Sequence, residues 1–134
     1  MRALTVRVDW DHGEPVYEQI ATQIRSRIAA GDLRPGAPLP PVRTLASDLG
    51  VNLNTVARAY RVLEEQGFLR IRDRSGAEVA PPAESPNAAA RRRLRGELGS
   101  VLARMKQAGV SAEDVRRMVE REIAGPSEAT GGED

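Results

Sequence analysis

The chain has no cysteine. That removes disulfides, thiolate metal sites and cysteine nucleophiles together. Histidine is nearly absent too. His12 stands alone in the turn-forming stretch D-H-G-E-P at 11–15, so neither a metal centre nor a histidine general base has a partner there. Aromatics are scarce, with Trp10, Tyr17, Tyr60 and Phe68 making up the whole set. No apolar run approaches the roughly 18 residues of a membrane span, and the amino terminus lacks a signal peptide's apolar stretch. A cytoplasmic protein without membrane contact is expected. Neither sign of charge dominates. The net charge of +1 excludes a global basic field and argues against a sequence-blind architectural DNA binder, because such binding rests on a strongly basic surface.

No glycine run matches a phosphate-binding loop. Asp9, Asp11 and Glu14 cluster near His12, but a catalytic carboxylate pair needs a pocket that so short a chain hardly supplies. No catalytic residue, metal or cofactor is expected, and an enzyme is the class with least support. The 134 residues allow one domain, or a small domain with an appendage. Lysine is all but missing, since Lys106 is the one lysine among 20 basic residues. Arginine suits phosphate and guanine contacts.

What is present is a sequence of short, well-punctuated elements. Residues 4–9 alternate apolar and polar, which predicts a half-buried strand or an extended arm. Pro15 fits the first turn of a helix. Tyr17, Ile20, Ala21, Ile24 and Ile28 share one helical face, and Gly31 stops that helix. The Pro- and Gly-rich D-L-R-P-G-A-P-L-P-P that follows predicts a loop. Pro41 opens a second helix with Val42, Leu45, Ala46 and Leu49 inward, and Gly50 supplies a residue tolerant of positive φ. Asn52 suits the N-cap of a third helix, which buries Val56, Ala59, Tyr60 and Leu63 and ends at Gly67. Residues 68–72 and 77–80 flank D-R-S-G, predicting a β-hairpin with Gly76 at the tight position.

Residues 39–68 therefore read as a helix-turn-helix, a form whose second helix docks its amino end in the major groove. The residues placed to reach DNA are Asn52, Asn54, Thr55 and, one turn on, Arg58. Asn pairs bidentately with adenine, Arg with guanine or phosphate, and the Thr methyl suits thymine. Arg43 lies near the start of the second helix, in position for the backbone. Arg70, Arg72 and Arg74 share one face of the hairpin, with Ser75 and Gly76 at its tip, as a wing would need. Two other readings stand beside this one. The same geometry occurs in protein-interaction modules, where Asn52 is only a cap, and an arginine stripe on an edge strand also serves as a gatekeeper against aggregation.

Beyond a linker at 81–87, two amphipathic helices are predicted in a dimerisation region at 88–124. Leu94, Leu98, Val101, Leu102 and Met105 form one apolar stripe. Gly109 breaks that helix, and Ser111 with Asp114 resembles a capping box. Val115, Met118, Val119 and Ile123 form the second stripe. An αα-hairpin exchanging these stripes with a second subunit is the expected arrangement. An intrachain hairpin docked on its own domain is the alternative. R-R-R-L-R at 91–95 opens the first of these helices. It lies close to the wing in sequence, but cations at a helix amino end oppose the dipole, and no role is assigned to it. Residues 125–134 form a Gly-rich tail expected to be disordered.

Several segments together resemble the GntR family of bacterial transcription regulators. They are P-V-Y-E-Q-I at 15–20, G-D-L-R-P-G-A-P-L-P-P-V-R-T-L-A at 31–46, G-V-N-L-N-T-V-A-R-A-Y at 50–60 and L-E-E-Q-G-F-L at 63–69. The match covers about residues 9–80. The paired asparagines and the short carboxy-terminal region resemble the YtrA subfamily. The resemblance implies a winged helix-turn-helix at 1–80, a mostly α protein with a small β-hairpin (α+β). It also implies a homodimer on a palindromic DNA operator, acting as a repressor of its own or a transporter operon. It carries to Arg43 as the phosphate or base contact of L-P-x-x-R, to Asn54 and Thr55 in the recognition helix, and to Gly76 in the wing. Two positions depart from the family. Leu53 stands where Arg is frequent, and Pro41 replaces the Ser of L-P-S-x-R that would cap the second helix. No effector domain is visible. A small-molecule effector would have to act at the dimer junction.

Overall fold

The computed structural model describes residues 4–72, 76–85 and 87–125. The expected contacts of Arg74 and Ser75, and almost all of the expected tail, lie outside these residues. The chain divides into two compact units, residues 1–81 and 82–134.

The first unit holds three helices and a small sheet. Helix α1 spans Val16–Ala29, α2 spans Val42–Leu49 and α3 spans Leu53–Glu65. Strands β1 (Pro38–Leu39), β2 (Leu69–Arg72) and β3 (Gly76–Val79) form an antiparallel sheet in the order β1-β3-β2. The core lies where α1, α2 and the sheet meet α3. Ile20, Ile24, Val56, Ala59 and Leu63 are wholly buried there, and Leu39, Leu45, Leu69 and Val79 close around them. Each large side chain so buried contributes roughly 1.5–3 kcal/mol. The buried face of α3 is the predicted one, because i, i+3, i+4 and i+7 fall on one side of a 3.6-residue turn.

The helix ends follow the punctuation. Gly50 closes α2 at φ 69° in the left-handed region, and Val51 N–H returns to the Ala46 carbonyl at 3.0 Å. Gly31 and Gly67, at φ 84° and 88°, follow α1 and α3. Both prolines sit one residue earlier than expected. Pro15 and Pro41 are the flanking caps, with ψ 147° and 150°, and neither supplies a side-chain cap. Proline's fixed φ suits the entry, but its ring has no acceptor to offer.

Two expectations are corrected. The Pro-rich connector predicted as a loop contains β1, whose Pro38 and Leu39 pair with Glu78 and Ala77. Two residues are too few to show period-two alternation, and proline is tolerated on an edge strand, where its carbonyl still accepts. Gly76 is not at the tight position of the hairpin that the sequence pattern suggests. It opens β3 opposite Arg72, buried at φ 91°. A Cβ there would lie 3.1 Å from the Leu39 carbonyl oxygen. The positive φ and the close approach of the Leu39–Pro41 backbone together demand glycine.

Residues 4–9 form an extended arm with no strand pairing. Glutamine amides of α1 hold it. Arg7 N–H donates to Gln23 Oε1 at 2.9 Å, and Gln23 Nε2 returns a bond to the Arg7 carbonyl. Gln19 clasps Asp9 in the same reciprocal way. Val6 is thereby buried against the core. His12 is used locally, its Nδ1 accepting from Glu14 N–H at 3.0 Å.

In the second unit α4 spans Ala88–Gln107 and α5 spans Ala112–Ala124. Asn87 caps α4 through Ala90 N–H, and Gly109 turns the chain at φ 91°. Ser111 caps α5 through Asp114 N–H at 3.1 Å. The capping box is only half made, because the Asp114 carboxylate turns to Arg117. Met105, Val110 and Val115 are half-buried at the turn. Most of the apolar stripe is not covered. Leu94, Leu98, Met118, Val119 and Ile123 are 45–63% exposed, and Val101 and Leu102 are each at 39%.

Candidate nucleic-acid interface

The α2–α3 turn presents the amino end of α3 to solvent. Asn52, Leu53 and Asn54 are exposed, and Thr55 is half-buried beside them. Asn52 is the N-cap, its Oδ1 accepting from Asn54 N–H at 2.7 Å. That bond fixes the Asn52 side chain and occupies one acceptor site. It leaves chiefly the amide NH2 to face a ligand, which makes a bidentate adenine contact harder for Asn52 than for Asn54. The Asn54 side chain has no partner among the described residues. Leu53, 42% exposed, presents an apolar side chain at the same end.

Arg58 follows Asn54 by one turn. Its guanidinium carbon sits 3.9 Å from the centroid of the Tyr17 ring on α1. A cation over an aromatic face is held electrostatically, by about 0.5–1 kcal/mol at an exposed site. Arg61, one further turn along, is exposed and unpaired among the described residues. Asn54, Arg58 and Arg61 thus form an outward ridge. No acidic residue occurs from Leu49 to Leu63, so the ridge is locally positive towards the amino end of α3, while Glu64 and Glu65 follow Arg61 at i+3 and i+4. Arg43, the second residue of α2, is exposed beside it and likewise unpaired among the described residues.

The hairpin adds a different arrangement. Arg70 and Arg72 both reach Glu78 of β3, at 3.4 and 2.9 Å from its Oε2. Glu78 is directly opposite Arg70 in the ladder. Glu64 at the end of α3 accepts from Ile71 N–H at 3.3 Å, tying the wing to the helix. On the buried side, the Tyr60 hydroxyl donates to the Pro40 carbonyl at 2.7 Å and holds α3 to the entry of α2. Burial pushes the Tyr60 phenol well above its ordinary pKa.

Asn52, Asn54, Thr55 and Arg58 are brought together at the amino end of α3. Gly76 opens β3 and lines a cleft with Pro41 and with Ala57, Tyr60 and Arg61 of α3. Tyr17, Arg61 and Glu78 enter only with the structure. For Arg61 a signal exists in the sequence, since it falls two turns beyond Asn54 on the same face. Among the described residues no group of three or more His, Asp or Glu is placed to hold a metal, and no helix is long and apolar enough to cross a membrane. The assembly offers hydrogen-bond donors and cations on an exposed helix amino end beside a two-stranded wing, which is suited to groove and phosphate contacts.

Residues 16–79 match the model of bacterial regulatory proteins of the gntR family. The transcriptional regulator Rv1152 of Mycobacterium tuberculosis is 45% identical over 87 residues, which is 63% of this chain and 72% of that protein. The chain belongs to the GntR family. It is a DNA-binding transcription regulator with a winged helix, and it is not an enzyme. YtrA-type relatives recur. The transcriptional repressor YtrA of Bacillus subtilis is 34% identical over 80 residues, 60% of this chain and 62% of its own length. The solved YtrA from Sulfolobus acidocaldarius superposes with a TM-score of 0.58 at 39% identity, covering 73% of this chain and 97% of that one. A further solved structure, AraR(DBD) in complex with operator ORX1, matches with a TM-score of 0.51 at 28% identity, covering 60% of this chain and all of that one.

Proposed function

We propose that the protein is a cytoplasmic repressor that binds a palindromic operator as a homodimer and controls its own or a transporter operon. The observation that carries the reading is the ridge Asn54–Arg58–Arg61, exposed and borne on a capped helix amino end whose first two turns hold no acidic residue. In this reading α3 enters the major groove. Asn54 and Arg58 read base edges, Asn52 and Thr55 support them, and Arg43 meets a phosphate. Arg72, Arg74 and Ser75 of the wing follow the backbone. Gly76 shapes the wing beside the Leu39–Pro41 backbone and joins Ser75 at the tip that meets DNA.

The uncovered side chains Leu94, Leu98, Val101, Leu102, Met118 and Val119, with Met105 and Val115 at the turn, support the dimer. A second copy would bury both stripes in a two-fold helical bundle. Half-sites would then lie about one helical turn apart. A cleft of about 440 Å³ at the α4–α5 turn, lined by Leu102, Lys106, Val110, Val115 and Arg116 among others, suits a small anionic effector. Such a ligand would regulate only by preferring one spacing of the reading heads.

The deciding experiment is selection of bound sequences from a random duplex pool at near-physiological salt. An enriched inverted repeat is expected, and its genomic matches would name the operon. Retention without enrichment, vanishing as salt rises, would reduce the protein to a non-specific binder. No retention at all would favour a protein-interaction adaptor on the α3 face.

A further inference from the structure

The reading head makes no use of the most cationic element of the chain. Helix α4 carries Arg91, Arg92, Arg93, Arg95, Arg104 and Lys106 against a single carboxylate, Glu97. A chain of net charge +1 thus contains one strongly positive helix. At 3.6 residues per turn, Arg91, Arg92 and Arg95 share a side of α4 with Ala88, and Glu97 falls on the opposite side. Those four residues line a cleft of about 240 Å³, and Arg91 and Arg95 continue the helical line of Leu98 and Leu102 at i, i+4, i+7 and i+11.

None of these three arginines has a hydrogen bond or ion pair among the described residues. Arg25, Arg70, Arg72 and Arg117 each meet a carboxylate, whereas these three share their unpaired state with Arg43 and Arg61 of the reading head. The first turn of α4 contains no acid, and cations there oppose the helix dipole. The arrangement therefore costs stability in the free protein and is relieved by an anion. On α5, Glu113 and Asp114 already hold Arg117, while Glu120 and Glu122 are exposed without an ion pair among the described residues, so a second copy of this chain is the competing partner. Another α4 would bring the same arginines. A DNA backbone supplies closely spaced phosphates, and guanidinium groups meet phosphate bidentately. Only residues 82–87 separate α4 in sequence from the unit that carries the wing. An extended segment of that length spans about 20 Å at most.

We propose that Arg91, Arg92 and Arg95 form a second DNA contact, gripping backbone phosphates outside the base pairs read by α3 and lengthening the footprint. The proposal rests on the DNA-binding reading above. The test uses the full chain and its triple variant R91Q/R92Q/R95Q. Each is titrated across salt on the selected operator alone and on the same operator extended by a helical turn at each end. Wild type should bind the extended duplex at least about tenfold more tightly than the variant. The slope of log K against log salt should fall in the variant by about 0.9 for each phosphate no longer neutralised. The triple Arg→Lys variant should keep the wild-type slope. Equal affinity and slope for wild type and the Gln variant on the extended duplex would overturn the proposal. So would a variant that becomes monomeric in sedimentation with its slope unchanged, which would assign the arginines to subunit contact. A wild-type protein that binds neither duplex would instead overturn the operator reading beneath it.

Discussion

The guanidinium carbon of Arg58 lies 3.9 Å from the centre of the Tyr17 ring, joining α1 to the exposed face of α3. The two residues are far apart in sequence, yet the contact limits where the guanidinium can go. Replacing Tyr17 with Leu keeps apolar bulk and removes the ring face. Operator binding should weaken about two- to fivefold, the equivalent of 0.5–1 kcal/mol. In an Arg58→Ala background the same change should have no effect, and titration of all four proteins gives the coupling. Tighter binding by Tyr17→Leu would mean that the ring withholds Arg58 from DNA.

Asn54 and Arg43 should fail in different ways. Asn54→Ala is expected to cost about 1–3 kcal/mol and to relax preference at one base pair per half-site. Arg43→Ala should weaken binding almost evenly across sequences and shallow the salt slope by about 1. Titration against a set of single-substitution operators separates them. If Asn54→Ala bound every sequence as well as wild type, base reading would belong to another residue.

Tyr60 should make the first unit sensitive to alkali. Its buried phenol is harder to ionise folded than unfolded, where its ordinary value is 10.0. A raised folded pKa gives stability that is fully present below the unfolded value and declines as pH rises past it, by up to about 1.4 kcal/mol per pH unit. Tyr60→Phe should flatten this decline in denaturant melts between pH 9 and 11. It should also cost about 1–3 kcal/mol at neutral pH, because the Pro40 carbonyl loses its donor.

Leu98 and Leu102 are 54% and 39% exposed on α4. Changing both to Glu should leave a folded but monomeric protein by sedimentation, with its circular dichroism intact. Operator affinity should drop steeply, since one reading head replaces two. A variant that stayed dimeric would move the subunit contact elsewhere.

Much of the first unit is legible in the sequence because its punctuation is local. Gly31, Gly50 and Gly67 mark helix ends by the φ they permit, and Asn52 marks a start by the acceptor it carries. The buried face of α3 follows from period alone. Contacts between distant elements are not legible. Strand β1 is too short to alternate, so the demand it places on Gly76 is hidden, and Gly76 reads as a turn residue instead. The arm at 4–9 shows its apolar alternation, but not that side-chain amides of Gln19 and Gln23 stand in for a neighbouring strand. The Arg58–Tyr17 stack and the shared acceptor Glu78 depend on how helices and strands lie together, which no local pattern encodes.

Glu78 gives the wing a resident counter-anion. Because Arg70 and Arg72 are already satisfied by its carboxylate, a phosphate approaching that strand substitutes for an existing partner instead of filling a vacancy. The net gain from any chance encounter with a polyanion is small. In the proposed complex it would grow only where the rest of the protein is also engaged, so the wing would discriminate against sites that the reading helix does not fit. An acid shared by two arginines would act as a threshold, trading grip on random DNA for contrast between the right site and the rest.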